Sequence, residues 1–481
     1  MTNLRRLPPL ALAALGAAAI ALWLFLAWRQ ISYPLELYGH EGAIVDHVRR
    51  VLQGQPIYGA PEIEFVPFLY TPAYYYLVAA LAWAGDLAFV VPRSVSVAAT
   101  IVSIVCLYLL TQRLSGSRSW GIVAAAGLAL GASRVEAWYA LAQVDNVFLA
   151  LLAIAITVGV FARTVRGFFV VGLIFAASFW CKQIGLAAGL IHALALLLLG
   201  WRLAFALALG LAVGILPLLA VIAWNTDGWF LYYAFEIPAN YGIHPLGFVP
   251  VLVRDTPWLL PAYAAAAFLL VRLWRAGDRD LVWRLLALAL TLYGTAVIGR
   301  SHPGGHVNTL LPAIWLMALA LGAAMGMLWK RIASPGALAI VAGLALLQMA
   351  LLAYNPQRYL PAPNGARVLA EIRARLGEAP QPILLGGVGY LTGRVAGADH
   401  VAVNDVLRTD PNHAADFLRQ LESAMREKRY KTVVVEEFLA RRYASLYEPY
   451  YRSLGPLHPD GDAQRPRAGF DYGSLCILQA R

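Results

Sequence analysis

The side chains most capable of chemistry in this chain lie at the edges of long apolar segments, in four short motifs. The first motif, ELYGHEG, places His40 and Glu41 directly before a stretch with helical periodicity. Ionisable groups at membrane depth are costly to bury, so they indicate a function by default. A carboxylate at this position can accept the proton of an attacking hydroxyl, as a general base does. The same carboxylate would also complement the dipole of the helix that it precedes, and the sequence leaves both explanations open.

Two further motifs carry opposite charges. ALAQVDNVF places Asp145 at the start of an apolar segment, and FWCKQIG places Lys182 and Gln183 at the joint between two apolar segments. An ammonium group at this level can bind a phosphate leaving group. The alternatives are an ordinary boundary residue for Asp145, and for Lys182 a side chain that extends along apolar surface to reach water.

The fourth motif, GRSHPGGHVN, gathers several polar side chains in one predicted turn before an apolar segment, namely Arg300, His302, His306 and Asn308. Two histidines at this spacing can bind metal, but the spacing alone leaves the metal unknown. Turn chemistry and interfacial polarity are the alternative. Together the four motifs place carboxylates and cations at one level of one leaflet. This arrangement favours group transfer from an anionic lipid, in which cations bind the phosphate and a carboxylate activates the acceptor hydroxyl.

The elements that must position these motifs are strongly apolar. Hydrophobic residues make up 60% of the 481 residues and charged residues 14%, whereas about 25% of a typical soluble chain is charged. Apolar blocks such as 8–28 and 307–329 are long enough to cross ~30 Å of hydrocarbon. The composition therefore predicts a mainly α-helical, polytopic membrane protein and excludes a soluble fold.

Lys and Arg in the short loops predict a cytoplasmic N-terminus, because basic loops stay on the cytoplasmic side. The stretch 72–91 does not fit the resulting parity, so it either re-enters the membrane or is an ordinary span, which would bring the number to about 12 or 13. The odd number of the remaining spans predicts an extracytoplasmic C-terminus. We expect about eleven spans, at 8–29, 95–112, 119–134, 145–162, 167–181, 183–200, 203–224, 257–272, 283–299, 307–329 and 335–354.

The chain is expected to divide into a membrane domain, residues 1–355, and a small extracytoplasmic α/β domain, residues 356–481, called the C-terminal domain below. The membrane domain contains a first outer loop, residues 30–72, in which EGAIVDHVRRVLQG predicts an amphipathic helix on the membrane surface. In the C-terminal domain we expect helices at 366–376 and 413–428 and strands at 382–385 and 432–436.

The net charge of +11 could indicate a nucleic-acid partner. The Lys and Arg residues, however, lie mostly in short loops and form no basic stripe with interleaved aromatics. The excess of positive charge therefore reflects the orientation of the chain in the membrane. We expect membrane lipid as a partner and no nucleic acid. The three cysteines form neither a disulfide framework nor a metal-binding pair.

In their order and sidedness the motifs resemble those of the C-type glycosyltransferases. These multi-span enzymes use polyprenyl-phosphate sugars and include the protein O-mannosyltransferases and the lipid A aminoarabinose transferase. The resemblance covers roughly residues 8–355 and rests on YGHEGAIVDHVRRVLQGQPIY with FLYTPAYYY, then ALAQVDNVFLALL, FWCKQIGLAAG and SHPGGHVNTLLPA. It implies a glycosyltransferase of a bacterial inner membrane. Such an enzyme moves a sugar, with inversion, from a polyprenyl-phosphate donor to a glycan, lipid or protein acceptor.

The resemblance also implies roles for single residues. Family members carry an Asp-Glu pair where this chain has His40-Glu41, which implies Glu41 as the base with His40 assisting. The position of Asp145 implies a role with donor phosphate, acceptor or a divalent ion. The other implied contacts are donor-phosphate binding by Lys182, Arg300, His302 and His306, and substrate binding by Tyr70, Gln183 and Asn308.

Two questions stay open after this comparison of motifs. Family members differ in their use of metal, so the cofactor is unknown and a divalent cation remains open. Leu69-Tyr70 replaces the Glu-Lys pair of the aminoarabinose transferases, which argues against that particular substrate pair. The alternative functions are a lipid-linked saccharide flippase or other solute transporter, and a non-catalytic assembly protein that works through its C-terminal domain.

Overall fold

The computed structural model describes residues 7–83, 88–242, 246–377, 382–384, 388–391, 397–460 and 474–481. Within these ranges helices dominate as far as Leu352, and a small sheet with covering helices follows.

Long apolar helices form most of the first 352 residues. Seven of them have the length and hydropathy needed to cross a membrane: Leu7–Ile31, Val90–Ser115, Trp201–Asn225, Phe248–Arg275, Arg279–Ser301, Val307–Arg331 and Pro335–Leu352. Shorter helices at Arg118–Gly131, Asp145–Phe161, Val165–Cys181 and Ile184–Leu196 occupy the other predicted spans. Each predicted span thus corresponds to a helix, which confirms a mainly α-helical, polytopic membrane protein.

The stretch 72–91 contains a helix of only ten residues, Ala73–Ala82. At 1.5 Å per residue this helix is about 15 Å long, half of the hydrocarbon thickness. Tyr74 and Tyr75 are completely buried in protein. The length agrees with the re-entrant or interfacial alternative, and residues 84–87 lie outside the described ranges.

The predicted amphipathic helix of the first outer loop is present as Glu41–Leu52. Its apolar residues Ile44, Val45 and Val48 are completely buried. They therefore contact protein and not the membrane surface, where we had expected this face to lie. The reason is that the rest of the loop folds back over the helix. His47, for example, accepts a hydrogen bond from the backbone N–H of Phe68 at 2.9 Å.

The C-terminal domain contains one four-stranded sheet. Its strands are β1 (Pro382–Leu384), β2 (Thr432–Glu436), β3 (Tyr451–Pro456) and β4 (Leu475–Ala480), in the order β1-β2-β4-β3. β1 pairs with β2 in parallel, and the other neighbours are antiparallel. The predicted strands correspond to β1 and β2, whereas β3 and β4 were not predicted. The domain boundary at residue 355 stays a prediction.

Helices Gly365–Gly377 and Pro411–Arg426 match the two that were predicted in the C-terminal domain. A third, His400–Thr409, was not predicted. Short helical segments complete the fold: Ala132–Val135, Trp138–Ala140, Trp229–Leu231, Tyr232–Glu236, Ile237–Asn240, Pro356–Tyr359, Gly389–Leu391, Glu437–Arg442 and Ala444–Tyr447.

The C-terminal domain packs directly on the first outer loop. The backbone N–H of Ala398 donates to the carbonyl of Ile63 at 2.7 Å, and the side chain of Gln420 reaches the carbonyl of Pro61. Tyr430 forms a further hydrogen bond with Glu64. The polar residues of the loop are consequently enclosed between the membrane helices and this domain.

Candidate active site

Asp145 is the centre of a polar cluster that joins three of the four sequence motifs. Its Oδ1 accepts hydrogen bonds from Lys182 Nζ at 2.5 Å and from Asn308 Nδ2 at 3.0 Å. Its Oδ2 accepts one from the indole N–H of Trp138 at 3.1 Å. The carboxylate is 1% exposed. One nearby donor and two from other parts of the chain thus converge on one buried carboxylate.

Local chain geometry brings these groups together. Asp145 is the first residue of its helix, directly after the turn that contains Trp138. Lys182 lies in an extended link between two apolar helices. The link is tight because a Cβ at Gly185 would lie 2.5 Å from the backbone nitrogen of Phe179. Gln183 also donates to the carbonyl of Leu69 at 2.6 Å, which attaches the link to the first outer loop.

Aromatic rings connect the cluster to the first and fourth motifs. The ammonium of Lys182 lies 5.5 Å from the ring centre of Tyr70. The rings of Tyr38 and Trp138 are 4.4 Å apart, and the ring of His306 is 5.9 Å from Trp138. Burial lowers the pKa of His306. Tyr70, Gln183, His306 and Asn308, all predicted as binding residues, therefore lie around Asp145 and Lys182.

Glu41 is completely buried, and both of its carboxylate oxygens are occupied by protein donors. Arg93 forms a two-point ion pair with it, Nε to Oε1 at 2.9 Å and Nη2 to Oε2 at 2.6 Å. Backbone N–H groups of Ala142 and Leu37 add bonds of 2.7 and 2.8 Å. Arg93 also donates to three carbonyl groups of the outer loop. The base role of Glu41 stays a prediction, and this geometry favours a positioning role.

Arg93 was missed in the sequence because it was assigned to the loop before a span. The signal was an arginine, next to Pro92, inside an otherwise apolar stretch. In the structure it lies within the helix Val90–Ser115 and is completely buried.

Arg300 and His302 do not join the Asp145 cluster. The guanidinium of Arg300 pairs with Asp255 at 3.3 Å, and His302 Nε2 lies 3.3 Å from the carbonyl of Pro238. His306 instead approaches Glu136 at 3.8 Å. The two histidines of the turn therefore have different partners, and among the described residues they form no common metal site.

A pocket of about 230 Å³ lies beside Val307, the residue after His306. The charged residues that line it are Arg134, Glu136, Arg254, Asp255 and Arg358. Three guanidinium groups against two carboxylates give the pocket a net positive charge, which suits an anionic ligand group.

A second buried polar cluster joins the first outer loop to the C-terminal domain. His40 Nδ1 lies 3.3 Å from Asp399 Oδ2, and His400 Nδ1 lies 2.9 Å from Glu436 Oε2. The ligand atoms of His40, Asp399 and His400 lie within 4.8 Å of one another. Among the described residues this is the only group of three or more such side chains able to hold a metal ion.

Charges within this second cluster determine its pKa values. Burial disfavours the charged imidazole of His400, but Glu436 and Asp399 outweigh this effect and raise its pKa to about 9. Burial likewise works against ionised Asp399, but His40 and His400 lower its pKa below the ordinary value. No local pattern indicates this cluster, since ADH at 398–400 is far from the other motifs and has no recognisable metal-ligand spacing.

The arrangement of apolar helices, an enclosed outer loop and an α/β C-terminal part is similar to the fold of ArnT from Cupriavidus metallidurans. The apo structure of ArnT gives a TM-score of 0.60 at 12% identity, over 96% of this chain and 97% of that chain. ArnT bound to undecaprenyl phosphate gives 0.58 over the same shares. Neither the known protein-family models nor the curated proteins match the sequence.

Proposed function

We propose that the protein is a glycosyltransferase that moves a sugar from a polyprenyl-phosphate donor to an acceptor on the extracytoplasmic face of a bacterial inner membrane. The observation that carries this proposal is the contact between Lys182 and Asp145, enclosed by the outer loop and surrounded by the other motifs. The likeness to ArnT adds support, because one structure of that protein holds undecaprenyl phosphate.

Exchange of partners at Lys182 would start the reaction. A donor phosphate that approaches Lys182 competes for its ammonium group with Asp145, which is now 2.5 Å away. Asp145 then has an oxygen available to accept the proton of the acceptor hydroxyl. The acceptor oxygen forms a bond to the anomeric carbon while the carbon–oxygen bond to phosphate breaks. The phosphate keeps the electron pair, stabilised by Lys182, and a single displacement of this kind inverts the anomeric centre.

Glu41 would act as a positioning residue in this scheme. Its contacts with Arg93 and with the N–H of Ala142 join the outer loop to the segment just before Asp145. His306 and Asn308 would orient the substrates beside Asp145. The pocket that contains Arg134 and Arg254 would bind an anionic part of the donor or acceptor, with Arg300 fixing its Asp255 wall.

The test is an assay of the purified protein in lipid with a panel of polyprenyl-phosphate sugars, following release of free polyprenyl phosphate. We expect release with one donor class and its loss in Asp145→Asn. Asp280→Asn is a matched control, because Asp280 is largely exposed at the start of another helix, where it pairs with Arg284. Absence of release from every donor, even with membrane extract as a source of acceptors, would overturn the proposal.

The same experiment separates the alternative functions. A lipid-linked saccharide flippase would move the donor across the bilayer without cleaving it, so labelled donor would change sides while free polyprenyl phosphate stays at background. An assembly protein would show neither process, and its role would disappear on deletion of residues 365–481.

A further inference from the structure

We propose that His40, Asp399 and His400 bind one divalent transition-metal ion of the zinc class, which fastens the first outer loop to the C-terminal domain. The inference concerns a site other than the Asp145 cluster and does not depend on glycosyl transfer. One ligand comes from the loop, and two come from the start of the helix His400–Thr409.

The distances are close to those of a metal site. Zinc binds imidazole nitrogen and carboxylate oxygen at about 2.0–2.2 Å, so two ligand atoms on one tetrahedral ion lie about 3.3 Å apart. His40 Nδ1 and Asp399 Oδ2 are 3.3 Å apart. All three ligand atoms lie within 4.8 Å of one another, and the ring centres of His40 and His400 are 5.0 Å apart. Side-chain movements that shorten these separations by up to about 1.5 Å therefore suffice to complete the site.

Neighbouring groups already orient the two ligands of the C-terminal domain. Glu436 Oε2 lies 2.9 Å from His400 Nδ1, so Nε2 of that ring would be the nitrogen that binds the metal. The backbone N–H of Val401 donates to Asp399 Oδ1 at 2.8 Å, which directs Oδ2 to the metal. Metal-binding histidines characteristically hold a carboxylate on their other nitrogen, and this partner fixes the tautomer and the ring orientation.

The electrostatic environment also favours a cation. Asp399 and Glu436 are both buried at the site. Two imidazoles compensate this negative charge only when both are protonated, whereas a divalent ion compensates it directly.

The backbone of His40 gives a separate indication. Its φ of 86° lies in the left-handed region, which residues other than glycine rarely adopt. Such strain persists where the surrounding structure requires one particular side-chain position, as it does in ligand clamps. A ligand at position 40 requires a side chain there, so glycine cannot take its place.

The ligand set selects among metals. Two imidazoles and one carboxylate suit zinc, copper, nickel or iron better than magnesium or calcium, which prefer oxygen ligands. Three protein ligands leave a fourth tetrahedral position for water or another small ligand.

The proposal is tested with the full-length protein, stripped with a chelator and titrated with Zn²⁺ and with Co²⁺, which reports tetrahedral coordination through its visible absorption. We expect one ion per protein by elemental analysis and a thermal unfolding midpoint that rises on Zn²⁺ addition. His400→Gln and Asp399→Asn should lose the tetrahedral cobalt spectrum. Glu436→Gln keeps all three ligands and should weaken binding by about 10- to 100-fold.

The matched control is His413→Gln, which removes another histidine that is paired with an aspartate, Asp410, at 2.6 Å. That imidazole is 37% exposed and lies in no group of metal ligands among the described residues. This variant should bind metal like the wild type. Wild-type protein without stoichiometric binding of either ion would overturn the proposal, whether or not the variants fold. Binding that survives in His400→Gln would overturn it equally.

Discussion

Replacement of Glu41 by Gln distinguishes a positioning residue from a catalytic base. In the structure Oε1 accepts hydrogen bonds from Arg93 and Ala142, and Oε2 accepts them from Arg93, Leu37 and, at 3.4 Å, Tyr38. A glutamine amide has one accepting oxygen, so its NH₂ group faces at least two donors in either orientation. The variant therefore loses at least two hydrogen bonds and leaves the guanidinium of Arg93 buried without a counter-charge.

The size of the effect follows from these losses. A hydrogen bond to a charged group contributes about 1.5–3 kcal/mol, and breaking a buried ion pair by removing one partner costs about 3–5 kcal/mol. We expect Glu41→Gln to lower the free energy of unfolding by about 3–5 kcal/mol. The double variant Glu41→Gln/Arg93→Met should recover part of this loss, because methionine removes the uncompensated charge.

The assay uses the two buried free cysteines, Cys106 and Cys181, which react with a thiol-sensitive dye once the protein unfolds. The midpoint of dye labelling on heating should fall in Glu41→Gln and rise again in the double variant. A single variant with the wild-type midpoint and no transfer activity would refute this reasoning and support the base role predicted from the motif. A double variant that regains activity together with stability would exclude a base role.

Three further predictions concern the Asp145 cluster. Asp145→Asn should reduce the transfer rate by about 10²- to 10⁴-fold. The variant should still bind polyprenyl phosphate, as measured by the rise in its thermal unfolding midpoint when this ligand is added. If the ligand no longer raises the midpoint, Asp145 belongs to the binding site. Lys182→Gln should weaken the binding of polyprenyl phosphate, and Lys182→Arg should restore part of it, since arginine keeps the charge but not the geometry. Equal binding by both variants would show that Lys182 does not bind the phosphate. Gly185→Ala should lower the free energy of unfolding by about 1–3 kcal/mol through overpacking, and it should displace Lys182. Gly343→Ala is the control, because nothing lies within 4 Å of the added Cβ. This control should leave dye labelling and activity unchanged.

The helical part of the fold was predictable because membrane spans are coded locally. An apolar run of sufficient length must form a helix in hydrocarbon, where unpaired backbone groups are costly. The contact between Asp145 and Lys182 could also be predicted, since topology places the start of one helix and the end of the next at the same membrane face. Strands β3 and β4 could not be predicted from the sequence, because β3 has mostly exposed residues and neither strand shows a clear alternation of buried and exposed positions.

Contacts between residues that are far apart in the sequence explain where the structure differs from the prediction at Glu41 and at the amphipathic helix. The chemistry of Glu41 is determined by Arg93, which is 52 residues away, and no local pattern relates the two. The amphipathic helix that contains Val48 has the pattern of a surface helix, yet folding of the loop buries its apolar face. A periodic pattern identifies which face is covered but does not identify what covers it.

The contact between His40 and Asp399 has a consequence for biogenesis, because 359 residues separate its two partners. The first outer loop is synthesised before the C-terminal domain that encloses it. A nascent or truncated chain can insert its helices in the membrane long before this junction forms. Closure of the junction thus requires that the chain has been synthesised at least as far as Asp399.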